Sequence, residues 1–315
     1  MYGKDITFCI LSYNRLQYLS RCLDSCLLHG VGSKIIVLDN SEDQTAFKIV
    51  QQQYPASIDW YFSDHTLGYA KNFLRAFSVC ESRFLVALHD DDRITKNFCT
   101  DQLAMLEKNK AASAISCNGF FINSQGQKMK LLMPWDEDNE QVKIFETMDQ
   151  YVEHKYSMVG GCIPFSPMIF DLNKAHFIKD IILKRAEKFG QAIDSILIID
   201  LLERSQIILN YKPLYECGEH IQQDSKVYNN FWEIQFMLFL LRNDSVGKSV
   251  KKKIKIFYMT DVIINALKSF PNRNLLGNII ICREIISIIL LPNVFRVVIA
   301  RGLLKLKLIK SLHEN

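Results

Sequence analysis

Three acids in a row follow an apolar run, where Arg83 to Leu88 (RFLVAL) gives way to His89-Asp90-Asp91-Asp92. Adjacent carboxylates repel one another, and at the end of a buried strand they are costly unless a cation or solvent compensates them. Hard divalent ions such as Mg2+ or Mn2+ prefer oxygen ligands and commonly bind one or two carboxylates together with substrate phosphates. A cation held there would neutralise charge on a departing phosphate-bearing group. The competing reading is a solvated acidic turn without a ligand. Two further polar clusters close apolar runs: Ser12-Tyr13-Asn14-Arg15 after ITFCIL, and Asp39 to Asp43 after KIIVL. Later in the chain, AEKFGQAIDSILIIDLLERS carries Glu187, Asp194 and Asp200, and GEHIQQDS carries His220, Gln223 and Ser225.

The elements that must position these residues are legible from periodicity. Ile6 to Leu11, Lys34 to Leu38, Ile58 to Phe62 and Arg83 to Leu88 are short apolar, β-rich runs that read as strands. Between them, Leu16 to Leu28, Thr45 to Gln53 and Tyr69 to Val79 have helical spacing. Strand alternating with helix over short connections predicts a mostly parallel sheet covered by helices. Ligands of such sheets collect beyond the carboxyl ends of the strands, where the three polar clusters stand.

Beyond Asp92 the pattern loosens. Ala114 to Ile122 reads as a strand, Trp135 to Asn139 as an acidic loop and Thr147 to Lys155 as a short helix. Ile163 to Phe170 is strand-like but interrupted by Pro164 and Pro167, which predicts an edge or a loop. Ser195 to Arg204 reads as an amphipathic helix, with Ile207 to Tyr211 a returning strand and helical spacing from Phe231 onward. Asp194 stands just ahead of that helix, where an acid also serves as a plain N-cap.

With 49% apolar and 23% charged residues and a net charge of +4, the chain can bury a sizeable core and is not disordered. Nine cysteines lack zinc-type pairing, and buried reduced thiols are expected rather than a disulfide framework. The stretch Ile279 to Val298 is interrupted by Arg283, Glu284, Pro292 and Arg296, and no charge-free run has the ~20 residues a spanning helix needs. From Lys248 to Lys310 the chain is strongly basic, opposed only by Asp261 and Glu284. Basic amphipathic segments of this kind attach to anionic membrane surfaces, with a helical bundle or a dimerisation element as competing readings. Nucleic acid is not expected as a partner, because the lysines alternate with Ile, Leu and Val.

The ordered set SYNR, LDNSED, LGYAKN and LHDDD resembles glycosyltransferase family 2, over roughly Asp5 to Ser225. The resemblance implies an α/β GT-A fold, a Rossmann-like mixed sheet flanked by helices, over residues 1–230, with a C-terminal helical region over 231–315. It implies an inverting, hexosyltransferase-type enzyme that uses Mn2+ or Mg2+ and a nucleoside-diphosphate sugar, UDP-linked by expectation. Ser12, Asn14 and Arg15 would then flank the nucleotide and Asp39 would accept from the base. Gly68 and Asn72 would face the diphosphate and ribose. Asp90 and Asp92 would form the DxD-type metal element, with Asp91 toward the ribose or donor sugar; His89/Asp91 is the rival register. Asp194 would be the catalytic base, His220 would approach the metal or diphosphate, and Gly160-Gly161 would face the acceptor. Trp135, Tyr156 and Trp232 could stack on sugar rings, although aromatics are also core material. The expected setting is surface polysaccharide synthesis of the O-antigen or capsule type on a saccharide or polyprenyl-linked acceptor, in the cytoplasm or peripheral on the inner membrane face. The competing classes are a GT-A-like binding or scaffold protein without activity and a metal-dependent phosphohydrolase.

Overall fold

The computed structural model describes residues 5–29, 33–43, 45–54, 56–63, 67–134, 141–156, 161–181, 185, 193–219 and 230–254. The chain divides into two compact units, Met1–Val227 and Tyr228–Asn315. In the first unit, β1 (Ile6–Ser12), β2 (Lys34–Asp39), β3 (Ile58–Phe62) and β4 (Phe84–His89) alternate with α1 (Leu16–Leu27), α2 (Thr45–Gln52) and α3 (Tyr69–Val79). All seven residues of β1 are buried, as suits a central strand covered on both faces. Alternate residues serve the two faces. Phe8 and Ile10 join Leu19, Cys22, Leu23 and Cys26 of α1 in one cluster, while the Cys9 thiol turns to the Ala76 carbonyl of α3. On the α3 side, Phe73 meets Phe77 and Phe165 with ring centroids 5.0 Å away in each case.

After β4 come β5 (Arg93–Ile94), α4 (Phe98–Lys108), β6 (Ala112–Ile122), β7 (Lys128–Leu131), β8 (Val142–Phe145), α5 (Met148–Lys155), β9 (Ile169–Asp171), α6 (Ile193–Leu202) and β10 (Gln206–Gly218). The sheet runs β3-β2-β1-β4-β9-β6-β10-β5, with β7 paired to β6 and β8 to β10. The sheet is mixed. β3, β2, β1 and β4 are parallel to one another, and so are β6 and β10. The three-residue β9 is antiparallel to both β4 and β6. Two reversals cancel, so the long strands on either side of β9 deliver their carboxyl ends to one edge. β9 itself starts at that edge and ends at the other, where Asp171 accepts two hydrogen bonds from Arg83, at 2.9 and 3.3 Å.

Several elements differ from the expectations. α4 is unexpected, because its buried side includes Gln102, which breaks the apolar period; the Gln102 side chain is satisfied by Asn210 at 3.0 Å. β10 runs well past Tyr211. Its register shifts around Pro213 carry the strand past a residue that cannot donate to the ladder. Only Ile169–Asp171 of the stretch Ile163 to Phe170 and its neighbour is strand. Thr147 is the cap of α5, and its hydroxyl and the Gln150 side chain satisfy each other's backbone N–H groups in a capping box. The second unit has α7 (Asn230–Arg242) and α8 (Lys248–Lys253) among its described residues. No helix among the described residues is long and apolar enough to cross a membrane. The expected basic segment beyond Ile254, His220, Gly160, Glu187 and the Trp135 loop lie outside the described residues.

Candidate active site

Register brings the polar clusters together. Ser12 at the end of β1 pairs with Asp39 at the end of β2, and Leu11 pairs with His89 at the end of β4. The β1–α1 turn is made by Asn14, whose φ of 53° lies in the left-handed region that Asn tolerates better than most residues. Its N–H donates to Ser41 Oγ at 2.7 Å, which ties the first cluster to the second.

Asp39 is buried, and burial raises its pKa against the pull of the Ser41 and Asn40 hydrogen bonds and of Arg75. Ser41 donates both its N–H (3.1 Å) and its hydroxyl (2.7 Å) to Oδ1. The Oδ2 atom of Asp39 and the Ser12 hydroxyl are buried and have no hydrogen-bond partner among the described residues. A polar ligand is the ordinary remedy for such atoms. Asn40 clips the next segment, donating to the Leu67 carbonyl and accepting from its N–H, both at 2.6 Å. Gly68 then caps α3, with nothing among the described residues within 4 Å of where a Cβ would stand. Asn72, expected to face the diphosphate and ribose, is buried. Its side chain donates to the Leu38 carbonyl at 3.5 Å and accepts from Arg75 at 3.0 Å. Arg75 in turn donates to the carbonyls of Asp39 and Tyr61 at 3.2 and 3.3 Å, so this pair braces the ends of β2 and β3.

The acid triplet splits in two directions. Asp90 turns back toward the β1–α1 turn, with Oδ1 3.0 Å from Arg15 Nη2 and Oδ2 accepting the Tyr13 N–H at 3.1 Å. Arg15 also reaches Asp91 Oδ2 at 3.3 Å. Asp92 accepts from the Ser166 hydroxyl and, at 3.2 Å, from the Gly218 N–H. Ligand-type atoms of His89, Asp91 and Asp92 all lie within 4.8 Å of one another. The set thus differs from the expected Asp90/Asp92 pair: it contains both members of the rival register and leaves out Asp90, which turns to the Tyr13 N–H of the β1–α1 turn. Burial pushes Asp90 up to about 7 against the pull of Arg15. Burial and the neighbouring Asp91 push Asp92 to about 6, opposed by His89. Concentrated carboxylates at odds with their own burial, beside an imidazole, fit a divalent cation that tolerates mixed nitrogen and oxygen ligands.

Asp194 lies in the first turn of α6 rather than ahead of the helix. Burial lifts it to about 6, while His89, a hydrogen bond from Tyr69 and the Lys155 charge pull it down. The Tyr69 hydroxyl donates to Asp194 Oδ1 at 3.1 Å, so β4's end and α6 meet through the first residue of α3. Lys155 donates to the adjacent Ser195 hydroxyl at 3.0 Å.

Tyr69, Ser166 and Gly218 had no place in the sequence argument. Ser166 accepts from the His89 N–H at 3.1 Å as well as donating to Asp92. A Cβ on Gly218 would stand 2.5 Å from the Asp91 carbonyl oxygen and 2.8 Å from its Cβ. The sequence signal for Tyr69 was an aromatic beside Gly68 in LGYAKN, and for Gly218 only its place at the head of GEHIQQDS. Ser166 between two prolines gave none.

The sequence matches the family described as glycosyl transferase family 2 over residues 7–176. No curated protein matched the chain. Among solved structures, S. aureus TarS in complex with UDP-GlcNAc is similar at 13% identity and a TM-score of 0.62, over 90% of this chain and 80% of that one. The TarS complex with UDP gives 14% and 0.57, over 87% and 77%. The mannosyltransferase PcManGT from Pyrobaculum calidifontis, in complex with GDP-Man and Mn2+, gives 11% and 0.53, over 99% and 88%. At such identities the likeness is one of fold, and it is to GT-A glycosyltransferases. With the family match spanning more than half of the chain and the strand ends converging as they do, the protein belongs to glycosyltransferase family 2 and is a glycosyltransferase of GT-A fold.

Proposed function

We propose that the protein is an inverting glycosyltransferase that moves a sugar from a UDP-linked donor to a saccharide or polyprenyl-linked acceptor in surface polysaccharide synthesis of the O-antigen or capsule type, at the cytoplasmic face of a membrane. The observation that carries this reading is the His89, Asp91 and Asp92 set standing at a strand end, joined through Tyr69 to the buried carboxylate Asp194. His89, Asp91 and Asp92 would hold the cation, with Mn2+ better matched than Mg2+ because an imidazole is among the donors. Bound there, a divalent cation supplies positive charge that stabilises the diphosphate leaving group.

The remaining roles fall to the chain itself. Asp39 offers one acceptor, Oδ2, because Ser41 occupies Oδ1. A single acceptor suits the lone ring N–H of uracil, whereas guanine presents two adjacent donors that pair best with two acceptors. Ser12 Oγ supplies a second contact beside it, Asn14 and Arg15 flank the nucleotide, and the open space at Gly68 admits the diphosphate. Asp194 is the base, taking the acceptor hydroxyl's proton as that oxygen attacks the anomeric carbon. Its rise to about 6 keeps it ionised at neutral pH yet basic enough to take a proton.

A thermal-shift screen of nucleotide sugars with and without Mn2+ tests the proposal, because a ligand of the folded state raises the melting temperature. UDP-sugars should raise it in a Mn2+-dependent way and GDP-sugars less. Asp194→Asn should keep that shift while turnover falls by about 10²–10⁴-fold. The absence of any Mn2+-dependent shift with nucleoside diphosphates would defeat the reading.

A further inference from the structure

Tyr69 stands between two residues that the proposed chemistry uses. Its hydroxyl donates to Asp194 Oδ1 at 3.1 Å and lies 3.4 Å from His89 Nε2. Its ring meets the imidazole edge-on, with centroids 5.7 Å apart and planes inclined by 72°. A phenol has one proton, and an ionised carboxylate only accepts. With that proton committed to Asp194, the remaining contact is a hydrogen bond only if His89 Nε2 carries the ring hydrogen and donates it to the phenol oxygen. The neutral imidazole then has its lone pair on Nδ1, the nitrogen 3.7 Å from Asp92 Oδ2.

The geometry points to Tyr69 as a positioning residue that fixes His89 in the Nε2–H tautomer, aims Nδ1 at the Asp91/Asp92 carboxylates as the ligating atom, and holds the Asp194 carboxylate in the same stroke. The backbone of His89 is already pinned: its N–H donates to Ser166 at 3.1 Å and its carbonyl accepts from the Cys22 thiol at 3.4 Å. Ring rotation is the freedom left, and the Tyr69 hydroxyl removes it. Partners of this kind, behind a ligating histidine, orient the ring and select its tautomer. The roles of His89 and Asp194 rest on the proposed function; the tautomer rests instead on the two contacts of the Tyr69 hydroxyl, with Asp194 ionised.

The test is made on the metal-free full chain with 15N-labelled histidine at pH 8, using long-range 1H–15N correlations and assigning His89 by the signal lost in His89→Gln. Wild type should give the Nε2–H pattern, and Tyr69→Phe, which keeps the ring stacked at 6.3 Å on Phe73, should give a mixture of tautomers. Mn2+ affinity, followed by the electron paramagnetic signal of the free ion, should fall about tenfold or more in Tyr69→Phe. An Nδ1–H pattern in wild type, or a Tyr69→Phe protein with unchanged tautomer and Mn2+ affinity, overturns the assignment. Wild type that shows Nε2–H but takes up no Mn2+ upholds the hold of Tyr69 on the ring and defeats the metal reading instead, so the two failures are told apart.

Discussion

Burial governs the acid triplet more than mutual repulsion does. Asp90 and Asp92 are both out of water, and desolvation is the largest cause of their rise to about 7 and about 6. A carboxyl whose folded pKa exceeds its unfolded value binds protons more tightly when folded. It therefore contributes stability below the ordinary carboxylate range and loses that contribution as pH rises through 6 to 7. The metal-free protein should melt higher at pH 5 than at pH 8. Because ligands must shed protons to bind a cation, Mn2+ should raise the melting temperature more at pH 8 than at pH 5. Melting curves across that range with and without Mn2+ check both signs, and a profile that climbs with pH in the metal-free protein would contradict the burial argument. Sequence placed the acids at a strand end but left two registers open. Past the last rung of a strand the two-residue alternation no longer dictates where a side chain points; here the Tyr13 N–H, from another strand end, holds Asp90, while Arg15 bridges Asp90 and Asp91. Asp39 was legible because a polar residue closing an apolar strand has few places to go. The brace between Asn72 and Arg75 was not, since only the packed fold ties that pair to the ends of β2 and β3.

At the scale of elements, the first four strands and three helices follow from apolar periodicity almost residue for residue. What escaped were elements whose buried side includes polar groups, such as α4 with Gln102, and exposed edge strands such as β7, whose KMKL carries no inward pattern. The end of β10 matters most, because Gly218 touches both Asp91 and Asp92. Gly218→Ala forces a Cβ against the Asp91 backbone. It should cost about 1–3 kcal/mol of stability, as overpacking does, and should weaken Mn2+ binding out of proportion to that loss. Thermal unfolding beside a Mn2+ titration separates the two effects; a variant that is destabilised yet binds Mn2+ as wild type does would show that Gly218 only packs.

Across the whole molecule, the direction of the long strands is what assembles the site. The sequence predicted the parallel ribbon but not its continuation through an inverted β9, because a three-residue strand broken up by neighbouring prolines has no readable period. That inversion is why Ser166, ahead of β9, reaches His89 and Asp92, while Asp171 at its far end serves Arg83. For the basic segment from Lys248 onward, the proposed role is attachment to an anionic surface. The full chain should co-sediment with vesicles containing anionic lipid and should be released as salt rises, because screening weakens such attraction. Sedimentation that ignores salt, or none at all, would leave that segment to a packing role.

Thiol chemistry follows from the way β9 is entered. Among the described residues Cys162 is the one exposed cysteine, the others being buried or half-buried free thiols. It sits four residues ahead of Ser166 on the stretch that leads to the cluster. With Cys282, which lies outside the described residues, replaced by serine, an electrophilic dye under mild conditions would thus mark the approach to the site before it reached the buried sulfurs, turning this strand's entrance into a chemical address for fluorescence.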